Sequence, residues 1–304
     1  MTASPVEVPA AERVARPGQA TLGRRLLPPW LQRTGVVLVL LFTLLPLASM
    51  LLVSVMPDVE AASGRVIPSD PAFDNYLTLW QTVGLAGPLL NSFVVSAIAS
   101  LVATALAVGI AYCLVRFSFV GRSTVLRSML GLQTVPGTLL LLPLFVVYFS
   151  FDAYLGIGLI GTRASLVITY LTFALPFATW VMVTYIRSIP ISLEEAGLID
   201  GLSRLGVLRR IIVPLALPGM VVATIFSFLL AWNDVLFASV LTAPSTRTAA
   251  IQLSAFAQAQ EGGAIPLYGQ LMAASVVTAV PVVVLYLVFQ RYLAAGLTSG
   301  GVKG

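Results

Sequence analysis

Residues 194–219 read EEAGLIDGLSRLGVLRRIIVPLALPG. Six charged residues, Glu194, Glu195, Asp200, Arg204, Arg209 and Arg210, fall within seventeen positions, with long apolar runs on either side. Such a polar island reads as a segment outside a membrane that joins two crossing helices. Ser192 and Glu195 have the spacing of a capping box, which predicts a helix from there through about Arg204. On it Asp200 and Arg204 lie four apart and can pair. Leu198, Leu202 and Leu205 form an apolar stripe, while Ala196, Gly197 and Gly201 leave one flank nearly bare. Two glycines inside a short helix cost about 1 kcal/mol each relative to alanine. Either something approaches the backbone closely, or they mark a turn between two shorter helices. A docking element and a solvated helical loop both fit these residues.

Outward from this island, six runs are long enough to cross a bilayer, which takes about 20 mostly apolar residues. They lie near 35–56, 88–115, 128–151, 164–186, 211–233 and 269–290. The whole chain of 304 residues is 58% hydrophobic and 10% charged, against about 25% charged in a soluble domain. Nothing alternates with a period of two, so the spans are helices rather than barrel strands. The first run is longer than the roughly 7–15 apolar residues of a cleavable signal, which predicts a retained helix. With the N-terminus inside, fourteen basic residues fall on inner segments and three, Arg65, Arg163 and Arg247, on outer ones. The positive-inside rule therefore places both termini and the 187–210 loop in the cytoplasm. Orientation accounts for the basic charge without any nucleic acid.

Residues 1–34 are expected to form an unstructured cytoplasmic tail, 35–293 the membrane domain and 294–304 a second cytoplasmic tail. The outer segment 57–87 is expected to hold one short surface helix, 116–127 a basic loop, 152–163 a glycine-rich loop and 234–268 a longer outer loop. Ala99, Ala103, Ala107 and Ala111 recur every four residues in the second span, as do Ser92, Ser96, Ser100 and Thr104. Rows of small side chains let helices approach closely, within the chain or across a subunit interface. Prolines lie in five of the spans and predict kinks.

Several chemistries are excluded. There is no histidine, and the single cysteine, Cys113, has no partner for a disulfide and no histidine to activate it. Lys303 is the only lysine and lies in no Walker A loop, so ATP must be bound by another polypeptide. No acidic residue lies at mid-membrane, which argues against a proton- or ion-driven carrier and against an intramembrane enzyme. Polar candidates along a translocation path are Asn91, Gln133, Tyr170, Thr172 and Asn233; each could instead satisfy hydrogen bonds between helices.

Glu195-Ala196-Gly197-x-x-Asp200-Gly201, followed thirteen residues later by Pro214-Leu215 and then Pro218, resembles the EAA signature of ABC-importer permease subunits. The chain departs from it at Gly197, Leu202, Leu208 and Val213, keeping small or apolar character. The terminal GLTSGGVKG is similar to the tail of the sugar-importer branch, of the maltose-importer type; Asn91-Ser92 and Trp232-Asn233-Asp234 also fit. The resemblance covers nearly everything after residue 35. It implies an all-α, polytopic membrane protein with the six transmembrane helices of the type I importer permease, in the cytoplasmic membrane of a prokaryote. It implies that Glu194, Glu195, Ala196, Gly197, Asp200, Gly201 and Arg204 form a coupling helix seated on a cytosolic ATPase. There Glu195 would make polar contacts, Gly201 would permit close docking and Asp200 would stabilise the loop. Gly300, Gly301 and Lys303 would reach between two ATPase subunits. The implied partners are a homologous second permease, a dimer of ABC ATPase subunits carrying ATP and Mg, and an external sugar-binding protein met by the 234–268 loop. This chain would bind no cofactor of its own and would carry a di- or oligosaccharide by alternating access.

Overall fold

The computed structural model describes residues 28–65, 67–260 and 266–299. Gly300, Gly301 and Lys303 lie outside them. The chain divides into two units, Met1–Ser49 and Met50–Gly304. The first is described from residue 28 and consists of most of α1 (Pro29–Ser54), whose apolar sequence runs on through Pro46.

The second unit carries everything else. Two short helices, α2 (Asp58–Ala62) and α3 (Asn75–Thr82), precede the long α4 (Ala86–Arg116). Then come α5 (Arg122–Leu132), α6 (Gly137–Leu155) and α7 (Arg163–Ser188), followed by α8 (Ile191–Ile199) and α9 (Arg204–Val207). A π-helical turn over Leu208–Ile212 leads to α10 (Val213–Leu215) and α11 (Leu217–Trp232). Two further helices, α12 (Leu236–Leu241) and α13 (Ala249–Gln260), precede α14 (Tyr268–Ser299). Among the described residues the only β contact is an isolated bridge between Gly161 and Thr242. Among the described residues five helices are long and apolar enough to span a bilayer, and the bent pair Arg204–Leu215 with Leu217–Trp232, counted as one crossing, makes six.

The third span differs from its expected place at 128–151. The helix stops at Leu132, Gln133 to Val135 form tight turns, and α6 starts at Gly137. Pro136 is the cause: it lacks an amide hydrogen and pushes Val135 out of the helical region. Hydropathy runs straight through this break, but backbone chemistry does not. The span extends to Leu155 and takes in Asp152, which sequence alone placed in a loop. The 116–127 loop is likewise shorter than expected, because α5 begins at Arg122. The outer segment 57–87 holds two short helices rather than one.

The fifth crossing bends by 75°. Pro214 and Pro218, four apart, each remove an amide donor from the helix ladder on either side of Ala216, whose φ and ψ are −85° and 0°. The wide turn just before relieves the clash of the Pro214 ring with the preceding turn. Pro143, Pro176 and Pro281, each alone, sit inside unbroken helices.

α4, α7 and α11 form the packed centre. Ala99, Ala103, Ala107 and Ala111 are buried there, as are Ser92, Ser96, Ser100 and Thr104. The small-residue rows therefore serve packing inside this chain. Thr104 and Thr224 share a hydrogen bond of 2.9 Å between α4 and α11. At the Arg116 end the core gathers Met182, Ile186, Val207 and Ile212; at the opposite end it gathers Tyr148, Leu166, Tyr170 and Leu241.

Candidate functional site

The polar island forms its own structure at the Arg116 end. Pro190 closes α7, since the residue before a proline is held extended, and serves as the N-cap of α8. The expected capping box is absent: α8 has no side-chain cap, and Ser192 is exposed. The helix also ends earlier than expected, at Ile199. Gly201 has φ +85°. The Gly201 amide donates to Leu198 O at 3.1 Å and the Leu202 amide to Gly197 O at 3.0 Å, the pattern of a Schellman cap. Gly201 is thus a turn between two helices, one of the two readings the sequence left open. Ser203 then caps α9 by accepting from the Gly206 amide at 3.2 Å.

At Gly197 the close approach is internal. A methyl group there would overlap the Ile211 side chain and touch Val207 and Leu202. Leu202, expected on the exposed stripe, instead turns in against Gly197. The exposed apolar surface comprises Ile191, Leu193, Leu198, Ile199 and Leu205, with Ile199 at 85% exposure. Glu195, Ala196, Asp200, Arg209 and Arg210 are exposed beside it. Replacing Gly201 by alanine forces a Cβ into left-handed backbone and is expected to cost roughly 1–2 kcal/mol. Faster amide exchange confined to 191–207, with the spans unchanged, is the measurement that checks it.

The two neighbouring glutamates go opposite ways. Glu194 is buried, with its side chain 7% exposed and that of its ion-pair partner Arg116 11% exposed. Tyr112 donates its hydroxyl to the other Glu194 oxygen at 3.4 Å. Arg116 Nη2 donates to Ile186 O at 3.1 Å and Ile189 O at 2.8 Å. One guanidinium thereby fastens α8 to the ends of both α4 and α7. Sequence reasoning placed Glu194 with the docking residues; the structure turns it inward. Arg116 and Tyr112 were missed, because Arg116 already had an explanation as one of the inner arginines. The expected Asp200–Arg204 pair is not formed: among the described residues the ion pairs are Arg65–Glu60 and Arg116–Glu194. The turn at Gly201 ends the helical register that would have stacked them, and the Arg204 guanidinium lies 5.2 Å over the Phe117 ring instead.

A second feature is an open cleft of about 630 Å³ lined by Gln133, Phe173, Phe177, Phe226, Leu229 and Asn233, among others. None of its lining residues is charged. The break before α6 contributes Gln133 and Val135 to this lining. Of the five path candidates, Gln133 and Asn233 meet here. The other three do not line it. Asn91 is buried, donating to Ser245 O at 3.1 Å and Arg247 O at 2.9 Å and accepting from Arg163 Nε at 2.7 Å. Tyr170 donates to Asp234 Oδ2 at 2.8 Å, and the same carboxylate caps the start of α12. Thr172 bonds back to Ile168 O of its own helix at 2.9 Å and does not line the cleft. No cluster of metal ligands occurs among the described residues.

A chain of spanning helices, with a charged helix pair between the fourth and fifth crossings and a bent fifth crossing, matches one family model. That model, described as the binding-protein-dependent transport system inner membrane component, covers residues 103–299. The chain belongs to this family. The permease is 36% identical over 275 residues to the inner membrane ABC transporter permease protein YcjP of Escherichia coli K12, covering 89% of this chain and 95% of that one. It is 35% identical over 268 residues to the trehalose transport system permease protein SugB of Mycobacterium tuberculosis, covering 88% and 95%. In fold it matches the crystal structure of a bacterial ABC transporter involved in the import of the acidic polysaccharide alginate. The TM-score is 0.71 at 20% identity, covering 86% of this chain and 95% of that one. The permease is therefore a transport component of ABC type rather than an enzyme.

Proposed function

We propose that the permease forms half of the translocation path of an ATP-driven, binding-protein-dependent sugar importer. Both termini and the α8–α9 element lie in the cytoplasm, where α8 docks on a separate ATPase that binds ATP and Mg. The observation that carries this reading is the surface of α8 and α9. An exposed apolar stripe with Ile199 at 85% exposure, rimmed by Glu195, Asp200, Arg209 and Arg210, is fixed to the span ends by the buried Arg116–Glu194 pair. A merely solvated loop has no use for either feature. A homologous second permease completes the path, and an external sugar-binding protein delivers cargo to the 234–268 side. ATP binding closes the ATPase dimer, and α8 moves with it. Through Arg116 that movement reaches α4 and α7, so that the cavity alternates its access. The C-terminal tail with Gly300, Gly301 and Lys303 reaches between the ATPase subunits.

The cargo is a neutral di- or oligosaccharide. The trehalose permease supports this reading by sequence. The cleft supports it by chemistry: amides of Gln133 and Asn233 donate and accept, the Phe faces are apolar, and no lining residue is charged. The test is purification of the tagged chain from its native membranes in mild detergent, followed by uptake assays in vesicles. A second permease and a Walker-A-containing ATPase are expected to co-purify, and sugar uptake is expected to require ATP. Asn233→Ala is expected to lower uptake about tenfold, the value of one net hydrogen bond, without loss of the co-purifying ATPase. Sugar uptake by the chain alone, with no ATPase present, would return it to the secondary carriers.

A further inference from the structure

The Arg116 end also holds a pocket that the transport reading does not use. It has a volume of about 320 Å³ and is lined by Arg122, Arg127 and Arg187 together with Leu114, Phe119 and Leu126. Arg122 opens α5, Arg127 lies further along the same helix, and Arg187 comes from the last turn of α7. No acidic residue lines the pocket.

The three guanidiniums differ from those of Arg116 and Arg204 at this end of the molecule. Arg116 has a carboxylate and two carbonyls, and Arg204 has the face of Phe117. Arg122, Arg127 and Arg187 have no ion pair among the described residues. Three uncompensated, planar cations converging on one cavity match the oxygens of a phosphate group, which guanidinium forks bind two at a time. The positive end of the α5 dipole adds to the same field. The remaining lining is apolar, with Leu114 buried and Phe119 exposed. A free phosphate ion would gain nothing from that surface, whereas the glycerol and first acyl carbons of a lipid would. Basic pockets between membrane helices at the cytoplasmic surface are suited to anionic headgroups in this way.

We propose that this pocket binds the phosphate group of an anionic phospholipid at the membrane surface. The site is independent of what the permease transports, and its neighbour in sequence, Ile186, is one of the carbonyls held by Arg116. An occupied pocket therefore sits against the anchor of α8.

The experiment is a lipid titration of the purified complex containing the full chain, read by native mass spectrometry. Phosphatidylglycerol is compared with phosphatidylcholine of the same acyl chains. Arg127→Gln with Arg187→Gln, both at exposed positions, is compared with Arg33→Gln with Arg291→Gln, which removes the same charge at exposed positions outside the pocket. The first pair is expected to weaken phosphatidylglycerol binding at least tenfold, in line with the worth of two basic residues at a membrane surface, and the second less than twofold. Equal losses in both pairs would reduce the effect to diffuse charge and overturn the site. Equal binding of phosphatidylcholine by the wild type would overturn the anionic selection. Millimolar inorganic phosphate that binds the lipid-free complex and displaces the lipid would identify a free-anion site and overturn the lipid assignment. Should the double variant fail to assemble, Arg127→Gln and Arg187→Gln singly carry the same comparison, each expected at about fivefold.

Discussion

Arg116→Ala is expected to destabilise the permease by roughly 3–5 kcal/mol, because it strands the Glu194 carboxylate in a site with almost no water. The side chains of the pair are 11% and 7% exposed, so neither charge can be solvated in place once its partner is gone. The same change also removes the Arg116 donor from the Ile186 and Ile189 carbonyls, although Ile186 O keeps the Ile189 amide. Glu194→Ala is expected to cost a similar amount through the stranded guanidinium, less the two carbonyl bonds that Arg116 keeps. The decisive variant is the double replacement of Arg116 and Glu194 by alanine, which closes the cycle with the two single changes. With both charges removed, it is expected to be more stable than Arg116→Ala, since a buried pair contributes little beyond its own desolvation. Unfolding of the three variants in one detergent measures this as a coupling of about 2 kcal/mol or more. Additive losses would mean that the two groups do not share a desolvated site.

That pair also shows where sequence reasoning stops. Glu194 and Glu195 are adjacent, chemically identical and both inside the charged island. Arg116, 78 residues earlier, distinguishes them, together with Tyr112 on the same helix. Asn91 and Tyr170 repeat the lesson inside the membrane. A polar side chain in a span either faces a path or pairs with another element, and the pairing partner of Asn91, Arg163, is 72 residues away. Long-range partners of this kind leave no periodicity behind.

The spans themselves were legible because a bilayer imposes length and apolarity on local sequence. The boundary that was missed, at α6, was set by one proline whose effect on the backbone an averaged hydropathy does not register. The Gly201 turn was half legible. Glycine flagged the position, but a capping box at Ser192 suggested a longer helix. The Pro190 cap made that box unnecessary. The resemblance to the EAA signature survived these errors because it rests on spacing from Glu195 to Pro218, and both helices and the turn preserve that spacing.

Glu195→Lys is expected to abolish transport while leaving the permease folded. Glu195 is exposed and takes no part in an ion pair among the described residues, so the fold does not depend on it. It lies one residue from Glu194 and therefore on a different face of α8, away from Arg116. If α8 docks on an ATPase, reversing this charge at the rim sets like charges against each other at an interface, a penalty of several kcal/mol. A loss of about 2.7 kcal/mol is already a hundredfold in affinity. Sugar uptake in vesicles is therefore expected to fall at least a hundredfold, and recovery of the ATPase with the tagged chain to fall with it. Thermal unfolding of the isolated chain should stay within about 0.5 kcal/mol of wild type, as for other exposed substitutions. The contrast with Arg116→Ala gives the test its force. One variant is expected to fail through stability with its docking surface chemically intact, and the other through docking with its stability intact. Normal uptake by Glu195→Lys would remove α8 from the path between ATP and the membrane. Lost uptake together with an unfolded chain would mean that Glu195 supports the fold and that the docking surface lies elsewhere.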